Sequence, residues 1–216
     1  MFSLNQIYQL DIFNTSHVIV SPCLYWTIPG DDSMSAVAWQ SATAAHTTRL
    51  RWEFQYTPSF ICAAQSPQAG EVIANDISVP IPFAFNNAVH LSFSKDGYSF
   101  GTPRPHGLPG TLHLMQEASV RADSASVGIA INNHPALVAP SKPSTMLSIP
   151  AALQLNLGFI AAAPGTILDM SQVKKPTPIK FPENVNAMYV TIRKDLALVI
   201  TQHRRPSPRI VDTIDA

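Results

Sequence analysis

Seven histidines (His17, His46, His90, His106, His113, His134 and His203) are the side chains of this 216-residue sequence best suited to acid–base or metal chemistry. No two are one residue apart, the spacing that places two side chains on one strand face, and none belongs to a helical HExxH arrangement. They are therefore expected to be solvated surface side chains, and His90 falls at a polar position of an alternating segment. The serine elbow GxSxG of hydrolases is absent. The glycines between Gly101 and Gly110 are interleaved with prolines, which have no N–H to offer a phosphate. Cys23 and Cys62, the only cysteines, lack zinc-site spacing and read as buried free thiols. The expectation is no metal and no cofactor.

Asp31 and Asp32 stand together in the turn Pro29-Gly30-Asp31-Asp32. Neighbouring carboxylates in a turn point apart, so the bland expectation is a solvent-facing or capping pair. The functional one is a calcium- or hydroxyl-binding loop. Trp26, Trp39 and Trp52, the three tryptophans, all fall in the first half, with Tyr25 and Tyr56 beside them. An aromatic-rich half suits a ligand cleft, because aromatic faces match sugar C–H faces and the rings of small metabolites. Trp52 is expected in the core, on the apolar face of its strand. The opposite face, Arg51, Glu53 and Gln55, offers polar contacts, or else a weak exposed ion pair. The candidate ligand residues are Trp26, Trp39, Tyr25, Asp31, Asp32, Arg51, Glu53 and Gln55. Arg204-Arg205-Pro206-Ser207 has the form of a kinase-accessible site.

The elements that must position these residues are strands. Nineteen prolines and nine glycines argue against long helices, since proline removes a helix donor and clashes with the preceding turn. Leu50, Trp52, Phe54 and Tyr56 alternate with Arg49, Arg51, Glu53 and Gln55, the pattern of a half-buried strand. Val89, Leu91 and Phe93 alternate with His90, Ser92 and Ser94 before the turn Lys95-Asp96-Gly97, a hairpin signal. A first hairpin is expected from Gln9–Phe13 and Val18–Val20, and strands over Leu24–Ile28, Glu71–Ile77, Thr111–Met115, Val127–Ile131, Leu153–Ala162 and Thr166–Val173. The predicted class is all-β.

Blocks of the first half recur in order in the second. Phe60-Ile-Cys-Ala-Ala answers Phe159-Ile-Ala-Ala-Ala and Asn87 to Asp96 answers Asn186 to Asp195, both displaced by 99 residues. Ile81-Pro82-Phe83 answers Ile179-Lys180-Phe181, displaced by 98. Two tandem, internally duplicated antiparallel β-sandwich-like halves with pseudo-two-fold symmetry are expected: 1–105, aromatic-rich, and 106–203, followed by a loose tail, 204–216.

Charged residues are 13% of the chain and the formal net charge is zero, against about 25% charged in an average globular domain. With 4 basic and 7 acidic residues before position 106 and 10 and 7 after it, no concentrated basic face suggests nucleic acid. No apolar run approaches the ~18 residues of a membrane span. The N-terminus lacks the features of a secretory signal, so a cytoplasmic location is expected. All-β, low in charge and duplicated, the chain resembles cytosolic defence lectins in general character. That likeness implies carbohydrate recognition. The alternatives are a small-molecule isomerase or cyclase with an aromatic-lined cavity, and a membrane-active toxin or structural oligomer. The expected partners are a carbohydrate or small-molecule ligand, with a homo-oligomer possible in principle.

Overall fold

A computed structural model of the chain describes residues 2, 6–73, 77–80, 87–106, 110–150 and 152–202. Ile81-Pro82-Phe83, His203 and the Arg204-Arg205-Pro206-Ser207 stretch lie outside the described residues. The chain is all-β. Its first strands are β1 (Ile7–Asn14), β2 (Pro22–Thr27), β3 (Ser35–Ala36), β4 (Gln40–Ser41), β5 (Arg49–Gln55) and β6 (Pro58–Ala63). There follow β7 (Ile77–Pro80), β8 (Ala88–Ser94), β9 (Gly97–Phe100), β10 (Thr111–Gln116), β11 (Ser126–Ile131) and β12 (His134–Pro140). The last are β13 (Thr145–Pro150), β14 (Gln154–Phe159), β15 (Lys174–Ile179), β16 (Ala187–Ile192) and β17 (Leu198–Gln202). The helical structure among the described residues is one 3-10 turn, Met170–Gln172.

Four sheets result, ordered β17-β16-β1-β5, β13-β10-β8-β9, β3-β12-β11-β6-β7 and β15-β14-β2-β4. Every sheet takes strands from both sides of residue 105, so the two stretches of chain are interleaved by backbone hydrogen bonds. Two of the sheets share one plan. In the first, β1 is parallel to β16 and antiparallel to β5, and β16 forms a hairpin with β17. In the second, β10 is parallel to β8 and antiparallel to β13, and β8 forms a hairpin with β9. Gln9 lies between Ala187 and Glu53; His113 lies between Ala88 and Ser148 at the matching place. Asp11, between Tyr189 and Arg51, likewise matches Met115, between His90 and Met146.

The turns follow their residues. Gly97 takes φ 104° in the β8–β9 hairpin, as the Lys95-Asp96-Gly97 signal predicts, and Asn132 and Asn133 take φ 52° and 62° in the two-residue β11–β12 hairpin. Positive φ at both central positions gives the turn whose twist matches that of the strands, and asparagine tolerates it. Gly128 is required for a different reason. A Cβ there would sit 2.0 Å from the Leu137 carbonyl oxygen, so only glycine allows β12 to approach.

Some expected elements differ. Gln9–Phe13 does not form a hairpin with Val18–Val20, because β1 is taken up by β5 and β16 and Val20 bridges instead to Ala44. The connection is pinned by wholly buried Asn14, whose amide donates to the carbonyls of Val18, Ala44 and Ala45 and whose Oδ1 accepts from Ser16. Thr166 and Ile167 make isolated bridges, and the chain then curls into the 3-10 turn because Asp169 caps Ser171 at 3.0 Å. Such local side-chain bonds compete with a strand ladder. Val72 bridges Thr166 rather than lying in a longer strand. Phe60 is the third residue of β6, whereas Phe159 is the last of β14. The other matched block is in step, since Ala88 and Ala187 each open their strand, β8 and β16.

The core holds Trp26, Trp39, Tyr25, Phe60, Leu10, Ile12 and Ile129, all essentially inaccessible. The Trp39 indole donates to the carbonyl of Ile131 at 2.9 Å, tying the segment between β3 and β4 to β11. The rings of Trp26 and Trp39 meet edge to face at 5.5 Å, and those of Trp39 and Phe54 at 4.9 Å. Each fully buried aromatic of this size contributes roughly 1.5–3 kcal/mol of burial, with edge-to-face pairing adding to it.

Candidate functional site

The alternation of β5 turns Phe54 into the core and Arg49, Arg51, Glu53 and Gln55 outward, with Leu50 and Trp52 half-buried. The neighbouring strand β1 alternates in the same way. Leu10 and Ile12 are wholly buried, so Gln9, Asp11 and Phe13 share the outer face with the β5 side chains. The register sets Asp11 opposite Arg51 on one side and Tyr189 on the other.

Asp11 is 1% exposed although it faces outward, because its neighbours cover it. Arg51 Nε donates to Asp11 Oδ1 at 2.9 Å and Arg51 Nη2 to Oδ2 at 3.4 Å. Arg49 Nη2 lies 3.4 Å from Oδ2, and Gln9 Nε2 donates to Oδ2 at 2.6 Å. Burial by itself raises the pKa of this carboxyl. The hydrogen bonds from Arg51, Gln9 and Arg49, with the Arg49 charge, more than offset it and hold the group below the ordinary value. Asp11 is a fixed anion, and it raises Arg51 in turn. The Arg49 guanidinium lies 5.5 Å above the centre of the Tyr189 ring, within cation–π range. Asp11, Phe13, Arg49, Tyr189 and Thr191 line a depression of about 380 Å³ on this open face. Phe13 is 40% exposed at its rim. The arrangement offers fixed planar donors and acceptors beside aromatic carbon, which suits binding better than bond-breaking.

The eight expected ligand residues separate into three places. Arg51, Glu53 and Gln55 join this face. Asp31 and Asp32 occupy the turn after β2, where Ile28 and Asp31 bridge. The Asp31 carboxylate accepts from the Ser33 N–H at 2.8 Å, a capping contact that lowers its pKa. Both aspartates border a separate depression of about 310 Å³ with Met34, Ser35 and Met170. Trp26, Trp39 and Tyr25 are core residues and offer no accessible face. Burial pushes the Tyr25 phenol up to about 12. Asp11 and Tyr189 escape a reading of the sequence, although Arg49 falls on the predicted polar face, because they join it only through strand register. Their signal was a lone acid inside an apolar alternating run, at the position of an outward residue.

The histidines divide too. His17, His46, His90 and His134 are exposed as expected, His106 is half-buried, and His113 is wholly buried. That last is a correction, since β10 carries His113 against the His106 ring and beside Ser148. Cys23 and Cys62 are both buried, and burial pushes the Cys23 thiol up to about 12. Among the described residues no three His, Cys, Asp or Glu side chains converge as a metal cluster, and no helix is long and apolar enough to cross a membrane.

No curated protein and no solved structure matches the chain. A family model described as RhiA matches residues 5–203, nearly its whole length, and the chain belongs to the RhiA family.

Proposed function

We propose that this chain is a carbohydrate-binding protein whose sugar site is the outer face of β16, β1 and β5. The observation that carries the reading is the Asp11 cluster. A buried carboxylate holds two arginines and a glutamine in place on an open sheet face, with Tyr189 and Phe13 alongside. Sugar hydroxyls need donors and acceptors in fixed pairs, and preorganised ones lose little entropy on binding. Arg49 and Arg51 donate, Glu53 and Gln55 extend the polar surface, and Phe13 presents carbon to a sugar C–H face. The depression is shallow, as a site for one or two rings at a chain end would be. Asp31 and Asp32 could extend recognition only as a second, separate contact.

A glycan array followed by calorimetry on the whole chain tests this. Binding that falls at least about tenfold in both Arg49→Ala and Phe13→Ala supports the site. An array without hits, alongside thermal stabilisation by an apolar metabolite, would move the function elsewhere. One observation favours that second reading, a small-molecule enzyme or carrier. Phe2, Gln154, Lys180 and Phe181 line a depression of about 310 Å³ beside the aromatic cluster, and the nearby Trp26 indole N–H is buried without a hydrogen-bond partner.

We also read the chain as two copies of one strand plan, 1–105 and 106–203, that exchange strands. The shared pairing order of the β1 and β10 sheets supports this. The buried free thiol of Cys23 suits a reducing, cytoplasmic setting.

A further inference from the structure

We propose that His106 and His113 form a two-histidine site for a divalent transition ion of the zinc, copper or nickel class, with water completing the coordination. The site is built from His113 on β10 and from His106, at the end of the described stretch that follows β9. Ala88 and Arg104 exchange two backbone hydrogen bonds, of 3.0 and 2.7 Å, so residues around Arg104 run alongside β8. The Asn87 side chain then ties His106 to the start of β10. Its Oδ1 accepts from the His106 N–H at 2.7 Å while its Nδ2 donates to the Thr111 carbonyl at 2.8 Å. This clamp sets the His106 ring against His113, with centroids 4.1 Å apart.

Each ring carries a nitrogen that is buried and unpartnered, Nδ1 of His106 and Nε2 of His113. Leaving a buried polar atom unpaired is costly, and here two such atoms belong to side chains in contact. The other nitrogen of His113, Nδ1, lies 3.1 Å from Ser148 Oγ. If Nδ1 donates to that hydroxyl, Nε2 keeps its lone pair, which is how histidine ligands are oriented by a neighbour behind them. Imidazole nitrogen suits zinc, copper and nickel, and not calcium or magnesium.

A competing pair exists. The His17 and His46 rings are 4.8 Å apart, but both are exposed, and His46 Nδ1 is already 2.6 Å from the Ser16 carbonyl. The decisive measurement is calorimetric titration of the full chain with Zn²⁺ and with Co²⁺, paired with thermal shift. Wild-type protein and His46→Gln should each bind one ion and melt higher with it. His106→Gln and His113→Gln should weaken binding at least about tenfold, and Ser148→Ala by about tenfold. Should His113→Gln not fold, His106→Gln decides, because that residue is half-buried in a connecting segment. Absence of a stoichiometric ion, or undiminished affinity in His106→Gln, overturns the proposal and leaves two rings bridged by water or by mutual contact alone.

Discussion

The sheet β17-β16-β1-β5 and the sheet β9-β8-β10-β13 run the same order of parallel and antiparallel pairings, yet their outer faces carry opposite chemistry. At the centre of one, Asp11 lies between Tyr189 and Arg51; at the matching place of the other, Met115 lies between His90 and Met146. Two residues earlier, Gln9 reaches Asp11, while His113 turns to Ser148 and His106. The inner residues at matching places, Tyr8, Leu10 and Ile12 against Leu112, Leu114 and Gln116, are buried in both sheets and, Gln116 apart, largely apolar. A shared strand plan therefore constrains the side chains that enter the core and leaves the outward ones free. Each face has acquired one buried polar group, a carboxylate on β1 and an imidazole on β10.

The largest effect should come from removing the carboxylate. Asp11→Ala leaves two arginines and the Gln9 amide without their shared acceptor, and the expected loss is about 1–3 kcal/mol of stability by chemical denaturation. Sugar binding should disappear with it. Met115→Ala, the matching change on the other face, should cost less and leave sugar binding as it was. Equal losses of binding in the two variants would place the site off the β1 face.

The two buried groups should also respond to acid in different windows. His113 is lowered from its ordinary value of 6.5 by burial and by His106. As pH falls through 6.5 the unfolded chain binds the proton and the folded chain resists, so stability is lost from there downward to the folded pKa. Asp11 is held below its ordinary 3.8, so its contribution is complete above that value and is lost only as pH falls through the folded pKa. Thermal melting between neutral pH and pH 3 should show a first decline that His113→Gln abolishes. A second, at lower pH, should be reduced in Asp11→Asn. A first decline that survives in His113→Gln would mean that another group drives it.

Strand class and several turns were readable from residue order. Alternation over Arg49–Tyr56, the Lys95-Asp96-Gly97 hairpin and the apolar run of β11 each state their structure locally, through side-chain period or the φ that a turn needs. The candidate site was half readable. Arg51, Glu53 and Gln55 could be placed on one polar face, because alternation within one strand suffices for that. Asp11 and Tyr189 could not be joined to them and to Arg49, since the contacts cross 40 residues to one neighbouring strand and 178 to the other. The tryptophans misled for a related reason. Trp26 and Trp39 lie beside polar turn residues in the chain, but the β14–β2 and β11 contacts that bury them are long-range.

The smallest expected effect concerns the residue that matches Tyr189. His90 Nδ1 lies 3.4 Å from Glu117 Oε1, and both side chains are about half exposed. Water screens such a pair and two mobile side chains must be held to make it, so its net worth is about 0.5 kcal/mol or less. His90→Ala should leave the melting temperature nearly unchanged at low and high salt, although it removes a contact at the same strand position that Tyr189 holds on the other face. Tyr189→Ala should weaken sugar binding, because Arg49 loses the ring beneath it. If the two substitutions behaved alike, strand position would be setting the energetics of the faces. If they differ, as the burial of Asp11 beside Tyr189 predicts, the decisive quantity is how completely the neighbouring charge has been taken out of water.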